Sequence, residues 1–169
     1  MGKYELDKAC SMILRARRAF LSVPGSGALV FVRTDQEQKV RRLAIEVAKS
    51  ISQDEPAPVY VVQGHVRGEH SWPFSRIKKN PRLRLQPNGQ IETEVGGLIF
   101  PQDRAIVLLV EYFDCLEPHD QRAYTHLVDG EGGEWALHEG SILIGALISS
   151  NPGKLEAGAS NRGLHFELA

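Results

Sequence analysis

Glu111 closes the run Ala105-Ile-Val-Leu-Leu-Val110, six apolar residues without alternation. A run this short and rich in β-branched residues reads as a strand buried on both faces, at home in the middle of a parallel sheet. The working residues of such sheets gather beyond the carboxyl ends of the strands. A carboxylate there is either a proton-accepting base or simply the polar end of a strand. A second chemical candidate is the segment Arg67 to Arg84. It interleaves Arg67, Arg76, Lys78, Lys79, Arg82 and Arg84 with Trp72 and Phe74. Aromatic side chains that stack on bases, set among cations that meet phosphates, can hold single-stranded nucleic acid. A solvated basic face, or one that meets an acidic surface of the same chain, is the favoured reading, because Glu69 intervenes and glycine-aromatic repeats are absent.

Metal chemistry finds little support. His65, His70, His119, His126, His138 and His165 show no H-x-x-x-H spacing with a matching acidic partner, so neither a metal nor a cofactor is expected. Cys10 and Cys115 are far apart and lack metal-ligand spacing. They are expected to be small core residues in a reducing cytosol.

The 169 residues, 42% hydrophobic and 24% charged, suit one soluble domain spanning 1–169. No apolar segment is long enough to cross a bilayer, and Met1 to Leu21 is too charged for a secretory signal. A cytoplasmic protein without membrane insertion is expected. The near-zero net charge hides an asymmetry: residues 1–84 hold 16 Lys+Arg against 8 Asp+Glu, and residues 85–169 hold 4 against 13. The two halves can attract within one fold, the favoured reading, or between neighbouring subunits.

The positioning elements follow from periodicity and punctuation. Within residues 1–24, Tyr4 to Leu21 predicts a helix with Leu6, Ala9, Cys10, Ile13, Leu14, Phe20 and Leu21 on its apolar face and Arg17 as the misfit. Val23-Pro-Gly-Ser-Gly27 is a turn. Ala28 to Val32 and Val59 to Val62 are buried strands. Between them, Thr34-Asp-Gln-Glu37 carries the S/T-x-x-E signature of a capping box opening a helix that runs to about Ala48. Residues 64–104 form a basic and aromatic insert. In it Asn88-Gly89, between Leu83 to Leu85 and Ile91 to Thr93, predicts a hairpin. Pro118 to Val128 predicts a helix with proline in its first turn. Trp135 to Leu137 is read as a short strand, Ser141 to Ile148 as a buried one, and Leu164 to Leu168 as the last. Five buried strands interleaved with helices define an α/β chain.

From Gly89 onward this order of features resembles the AAA+ ATPase core, especially its MoxR-like and midasin-like branch. The matching pieces are the Asn88-Gly89 hairpin, Gly96-Gly97, the strand ending in Glu111, the helix from Pro118, a hairpin near Trp135, the strand ending in Ser149-Ser-Asn-Pro152, and Glu156-Ala-x4-Arg162 before the last strand. The resemblance implies a three-layer α/β/α sandwich. Its P-loop NTPase-like sheet would be mainly parallel and five-stranded, in the order 5-1-4-3-2. It places Glu111 at the water-activating glutamate, Asn151 at the polar sensor beside the γ-phosphate, and Arg162 at the arginine that reaches a neighbour's nucleotide. For Arg162, local pairing with acidic residues is the equal alternative. For Asn151, turn chemistry before Pro152 comes first. The helical lid that usually follows in AAA+ proteins has no counterpart after Leu168, so none is expected.

The departures from that family decide the expected function. The first strand runs into Arg33-Thr-Asp-Gln-Glu-Gln-Lys-Val40 in place of a glycine-rich phosphate loop. Lys39 is then the vestige of the loop lysine, and Val40 replaces the Mg²⁺-binding hydroxyl. Without glycine the backbone cannot curl its N–H groups around a phosphate. Asp35 and Glu37 sit at the helix N-terminus, where the anion would bind. Val110 stands where the acidic Mg²⁺ partner belongs, leaving Glu111 alone, and without metal ligands its reading as a polar strand end is favoured. The leading expectation is a non-catalytic AAA+-like assembly or adaptor protein. It would bind a protein partner, including itself or an active AAA+ ATPase, through a former ATPase face. The alternatives are a nucleic-acid-associated factor using residues 67–84 and a weak residual ATPase using Lys39 and Glu111.

Overall fold

The computed structural model describes residues 3–65, 82–94, 100–129, 136–148 and 154–169, and the apolar runs within them are strands of one sheet. The chain alternates strands β1 (Lys3–Tyr4), β2 (Ala28–Arg33), β3 (Val59–Gln63), β4 (Arg82–Leu85), β5 (Ile91–Glu94), β6 (Val107–Glu111), β7 (Ile142–Leu147) and β8 (Leu164–Leu168) with helices. Among the described residues the helices are α1 (Leu6–Phe20), α2 (Glu37–Ser50), α3 (Pro118–His126) and α4 (Ala157–Arg162), and a 3₁₀ turn covers Phe113–Cys115. The sheet order is β1-β8-β2-β7-β6-β3-β4-β5. Every neighbouring pair is parallel except β3 with β4 and β4 with β5. The protein is α/β with one mostly parallel sheet.

That sheet has eight strands instead of the expected five. At one edge Lys3–Tyr4, expected at the head of the first helix, pairs with Glu167 and Leu168 of β8. Tyr4 packs edge-on to Phe166, with ring centroids 5.9 Å apart, and that contact holds the added strand. At the other edge the hairpin of β4 and β5 joins β3 through Val59 opposite Leu85. The strand expected at Trp135 to Leu137 is a correction of the opposite kind. Trp135 lies outside the described residues, and Ala136 and Leu137 are irregular, with Leu137 donating one backbone hydrogen bond to Leu127 (2.9 Å).

Side chains on a strand alternate between faces, so a run without alternation must meet apolar partners on both. Val30, Val32, Val59, Val61, Val107, Leu109, Ile142 and Ile144 share one cluster with Ala9 and Ile13 of α1 and with Val40, Leu43 and Val47 of α2. Leu29, Phe31, Tyr60, Val62, Leu108, Val110, Leu143 and Leu147 point the other way, into a cluster with Phe113, Tyr124, Leu127 and Ala159. Burying one Val, Leu, Ile or Phe in such a cluster contributes about 1.5–3 kcal/mol. Gln121 links α3 to the approach to α4: its amide nitrogen donates to the carbonyls of Leu116 and Lys154 (both 3.0 Å), and its oxygen accepts from the Glu156 N–H (2.7 Å).

Two local signals are overridden by tertiary contacts. The capping box does not form: α2 begins at Glu37 after Gln36, with no side-chain cap. The Thr34 N–H is instead drawn to Leu147 O (3.2 Å), continuing the sheet, and Glu37 is engaged elsewhere. Arg17, the misfit of α1, turns its Nε to Gly140 O (2.7 Å), which satisfies its position on an otherwise apolar face. Phe20 and Leu21, expected on that face, are exposed instead, because the helix ends at Phe20. The cysteines correct a third expectation. Cys10 is half-buried and Cys115 is exposed, because the 3₁₀ turn points it outward.

Gly145 of β7 lies where Phe31 and Phe113 meet edge-on at 5.2 Å. A Cβ there would stand 2.8 Å from the Phe31 ring and 3.2 Å from that of Phe113. A glycine inside a strand often marks such a close approach. Gly145→Ala is expected to cost about 1–3 kcal/mol of unfolding free energy by overpacking, read from urea denaturation.

Candidate functional site at the carboxyl edge of the sheet

Glu111 is the last residue of β6, and its side chain is fully buried. A buried carboxylate needs a partner or it becomes very costly. The partner is Arg41, on the second turn of α2. Its Nε donates to Glu111 Oε2 at 2.6 Å and its Nη2 to Oε1 at 2.8 Å, a two-pronged match of guanidinium to carboxylate. The same Nη2 lies 3.2 Å from Glu37 Oε2, one helical turn earlier. Glu37 Oε1 in turn accepts the Tyr112 hydroxyl at 2.7 Å. Two carboxylates, one guanidinium and one phenol thus form a closed set that pins the start of α2 to the end of β6.

Tyr112 takes up a left-handed backbone conformation (φ 54°) directly after Glu111. That conformation is unusual for a bulky residue and needs support from its surroundings. The hydrogen bond to Glu37 holds the tip of Tyr112, and the His65 ring covers its body at 4.0 Å. Beyond it, Phe113 drops into the core between Phe31 and Tyr124. Gly64 closes the other side: its N–H donates to Glu111 O (2.7 Å), and a Cβ on it would lie 2.6 Å from Tyr112 O. The protein's own groups therefore cover the strand end.

The electrostatics follow the contacts. Hydrogen bonding to Glu111 raises Arg41 above the usual guanidinium range, against the opposing effect of burial. The hydrogen bond to Glu37, then desolvation, pushes the Tyr112 phenol up to about 12. With its base held by two charge-assisted bonds, Glu111 is arranged as an acceptor already in use.

The other expected site residues that lie among the described ones are scattered. Lys39 extends to Asp35 Oδ1 (2.8 Å) on the exposed flank of α2, and that hydrogen bond holds Asp35 below its ordinary range. Two positions separate Lys39 from Arg41, which places them on different sides of the helix. Arg162, at the end of α4, pairs with Asp129 Oδ2, which also meets His126 Nδ1 at 2.9 Å. This is the local alternative for Arg162. Asn151 lies outside the described residues, as do Arg67, Trp72, Phe74, Arg76, Lys78 and Lys79. Arg82 belongs to β4, and Arg84 is bound to Glu94 across the hairpin at 3.2 Å. Among the described residues no three His, Cys, Asp or Glu side chains converge as metal ligands. No described helix is long and apolar enough to cross a membrane. Set against models of known protein families and against curated proteins, the chain matches none.

Arg41 is the residue that sequence reasoning missed. Its signal was the Glu37 to Arg41 spacing of four, which pairs opposite charges on one helix face. Arg41→Ala leaves Glu111 buried without its cation and is expected to lower unfolding free energy by about 3–5 kcal/mol in urea denaturation. Replacing both partners, Arg41→Met with Glu111→Leu, is expected to recover most of that loss. For Tyr112 the sign is set by a folded-state value above the free phenol's, about 10. Its contribution to stability is full below that pH and is lost as pH rises through about 12. Stability measured across that interval in Tyr112→Phe is expected to lack this component.

Proposed function

We propose that the protein is a non-catalytic assembly or adaptor protein built on a AAA+-like frame, using the face of a former ATPase site to bind a protein partner. The observation that carries this reading is the two-pronged Arg41–Glu111 pair. In the reading, Glu111 stands at the place of a water-activating glutamate, and Arg41 has taken up the charge it would need. The sheet order also supports the frame. Taken alone and counted in chain order, the parallel strands β2, β3, β6, β7 and β8 lie as 5-1-4-3-2, with apolar clusters on both faces. Lys39, the counterpart of a phosphate-loop lysine, is bound to Asp35. A triphosphate brought to this helix end would face the carboxylates of Asp35 and Glu37 with no glycine loop to wrap it.

The reading supplies partner binding without turnover. It leaves the carboxyl edge as a surface whose cation is already paired, in place of a site that closes on a ligand. Titration calorimetry with ATP and Mg²⁺ to millimolar concentration is expected to give no saturable heat. Saturable Mg²⁺-dependent binding would overturn the proposal.

A further inference from the structure

β5 is the outermost strand on its side of the sheet, and among the described residues nothing pairs with its outer edge. The hairpin fixes which backbone groups face outward. Gln86 N–H donates to Gln90 O (2.8 Å), so these two residues form the hydrogen-bonded pair that closes the turn. Antiparallel ladders alternate bonded and non-bonded pairs. Arg84 with Glu92 and Arg82 with Glu94 are then the bonded pairs, and Leu85 with Ile91 and Leu83 with Thr93 the non-bonded ones. Leu85 and Leu83 turn their N–H and C=O groups to Val59 and Val61 of β3. Ile91 and Thr93 turn theirs away from the sheet, toward no described strand.

Outward N–H and C=O groups at a sheet edge are a template for another extended chain. The side chains of β5 specify which chain. Ile91 is half-buried against the cluster that holds Leu85 and α2. Glu92 and Glu94 stand on the opposite face. Arg84 is committed to Glu94 (3.2 Å), whereas Glu92 has the amide of Gln86 (3.0 Å) and no cation among the described residues. An added strand lies about 4.8 Å from β5 and roughly twice that from β4. Its side chain opposite Glu92 therefore meets that carboxylate ahead of the committed guanidinium. A second copy is the poorer occupant. Two-fold antiparallel pairing of β5 with itself keeps like faces together and sets Glu92 and Glu94 against the same carboxylates of the copy. Charges at an edge guard against such self-pairing.

We propose that the outer edge of β5 accepts an extended segment of a partner protein as an added strand. The segment carries lysine or arginine opposite Glu92 and apolar, β-branched residues at the alternate positions, on the face of Ile91 and Thr93. Main-chain hydrogen bonds to Ile91 and Thr93 supply affinity, and the alternation of side chains selects the partner. The proposal does not rest on the reading of the Arg41–Glu111 pair.

The test is amide hydrogen exchange of the full chain by NMR, with and without a synthetic peptide that alternates valine with lysine. In the free protein the amides of Ile91 and Thr93 are expected to exchange fast and those of Glu92 and Glu94 slowly. The peptide is expected to slow Ile91 and Thr93. Fluorescence anisotropy with the labelled peptide is expected to saturate, and the counterpart with glutamate for lysine is expected not to bind. Thr93→Pro removes an outward N–H and no bond to β4, and is expected to weaken binding about tenfold, the scale of one lost hydrogen bond. Glu92→Lys is expected to weaken the lysine peptide several-fold and to admit the glutamate one. Both side chains are exposed, and thermal melts verify that the variants fold. Slow exchange of Ile91 and Thr93 in the free protein, absent saturable binding, or binding indifferent to Thr93→Pro overturns the proposal. So does sedimentation that shows a dimer dissolved by Thr93→Pro. None of these readouts involves a nucleotide, so this proposal and the reading of the Glu111 edge fail independently.

Discussion

A carboxylate with no exposed surface at the end of a central strand is the constraint from which the rest of this structure is built. Removed from water, Glu111 is tolerable only with a cation held in fixed geometry, and the planar fork of Arg41 supplies one. Arg41 belongs to α2, so the pair fixes that helix at the carboxyl edge of the sheet. Its neighbours are then determined in turn. Glu37 shares the guanidinium, Tyr112 donates to Glu37, and the left-handed turn at Tyr112 sends Phe113 into the core beside Phe31. A replacement by apolar residues could pack as well, which leaves specificity of the strand end, more than net stability, as the gain from keeping charges there.

The same pair bears on function. Phosphoryl-transfer sites keep donors and metal contacts aimed at oxygens that arrive with the nucleotide. Here the donors are already committed to side chains of the chain: Arg41 to Glu111 and Glu37, and Lys39 to Asp35. The opposed charges of the two halves are likewise used internally, through Arg41–Glu111, Lys3–Glu167 and Arg84–Glu94. The proposed role in assembly rests on this self-sufficiency at the carboxyl edge.

How much of this could be read from residues alone depends on whether a signal was local. The runs Ala28 to Val32, Val59 to Val62 and Ser141 to Ile148 declare burial on both faces by their lack of alternation, and they are strands with clusters on both sides. Asn88-Gly89 marks its hairpin by turn chemistry. The two-residue strand at Lys3 carries no such pattern; only its distant partners in β8 define it. Thr34 to Glu37 shows the reverse. A sound local capping signal yields because the sheet takes Thr34 and the buried cluster takes Glu37. Glu111 was legible as the end of a strand, whereas its partner was not, since 70 residues separate it from Arg41. The family likeness drew attention to Lys39, two positions from the residue that matters.

The central claim is that Arg41 is permanently occupied by Glu111, leaving that edge unavailable to a nucleotide. Nitrogen-detected NMR of the arginine Nε–H groups, with and without ATP and Mg²⁺, tests it most directly. The account predicts a sharp, slowly exchanging Arg41 signal, lost in Glu111→Gln and unmoved by nucleotide. An Arg41 signal that exchanges rapidly with water, or that shifts on adding ATP and Mg²⁺, would contradict it.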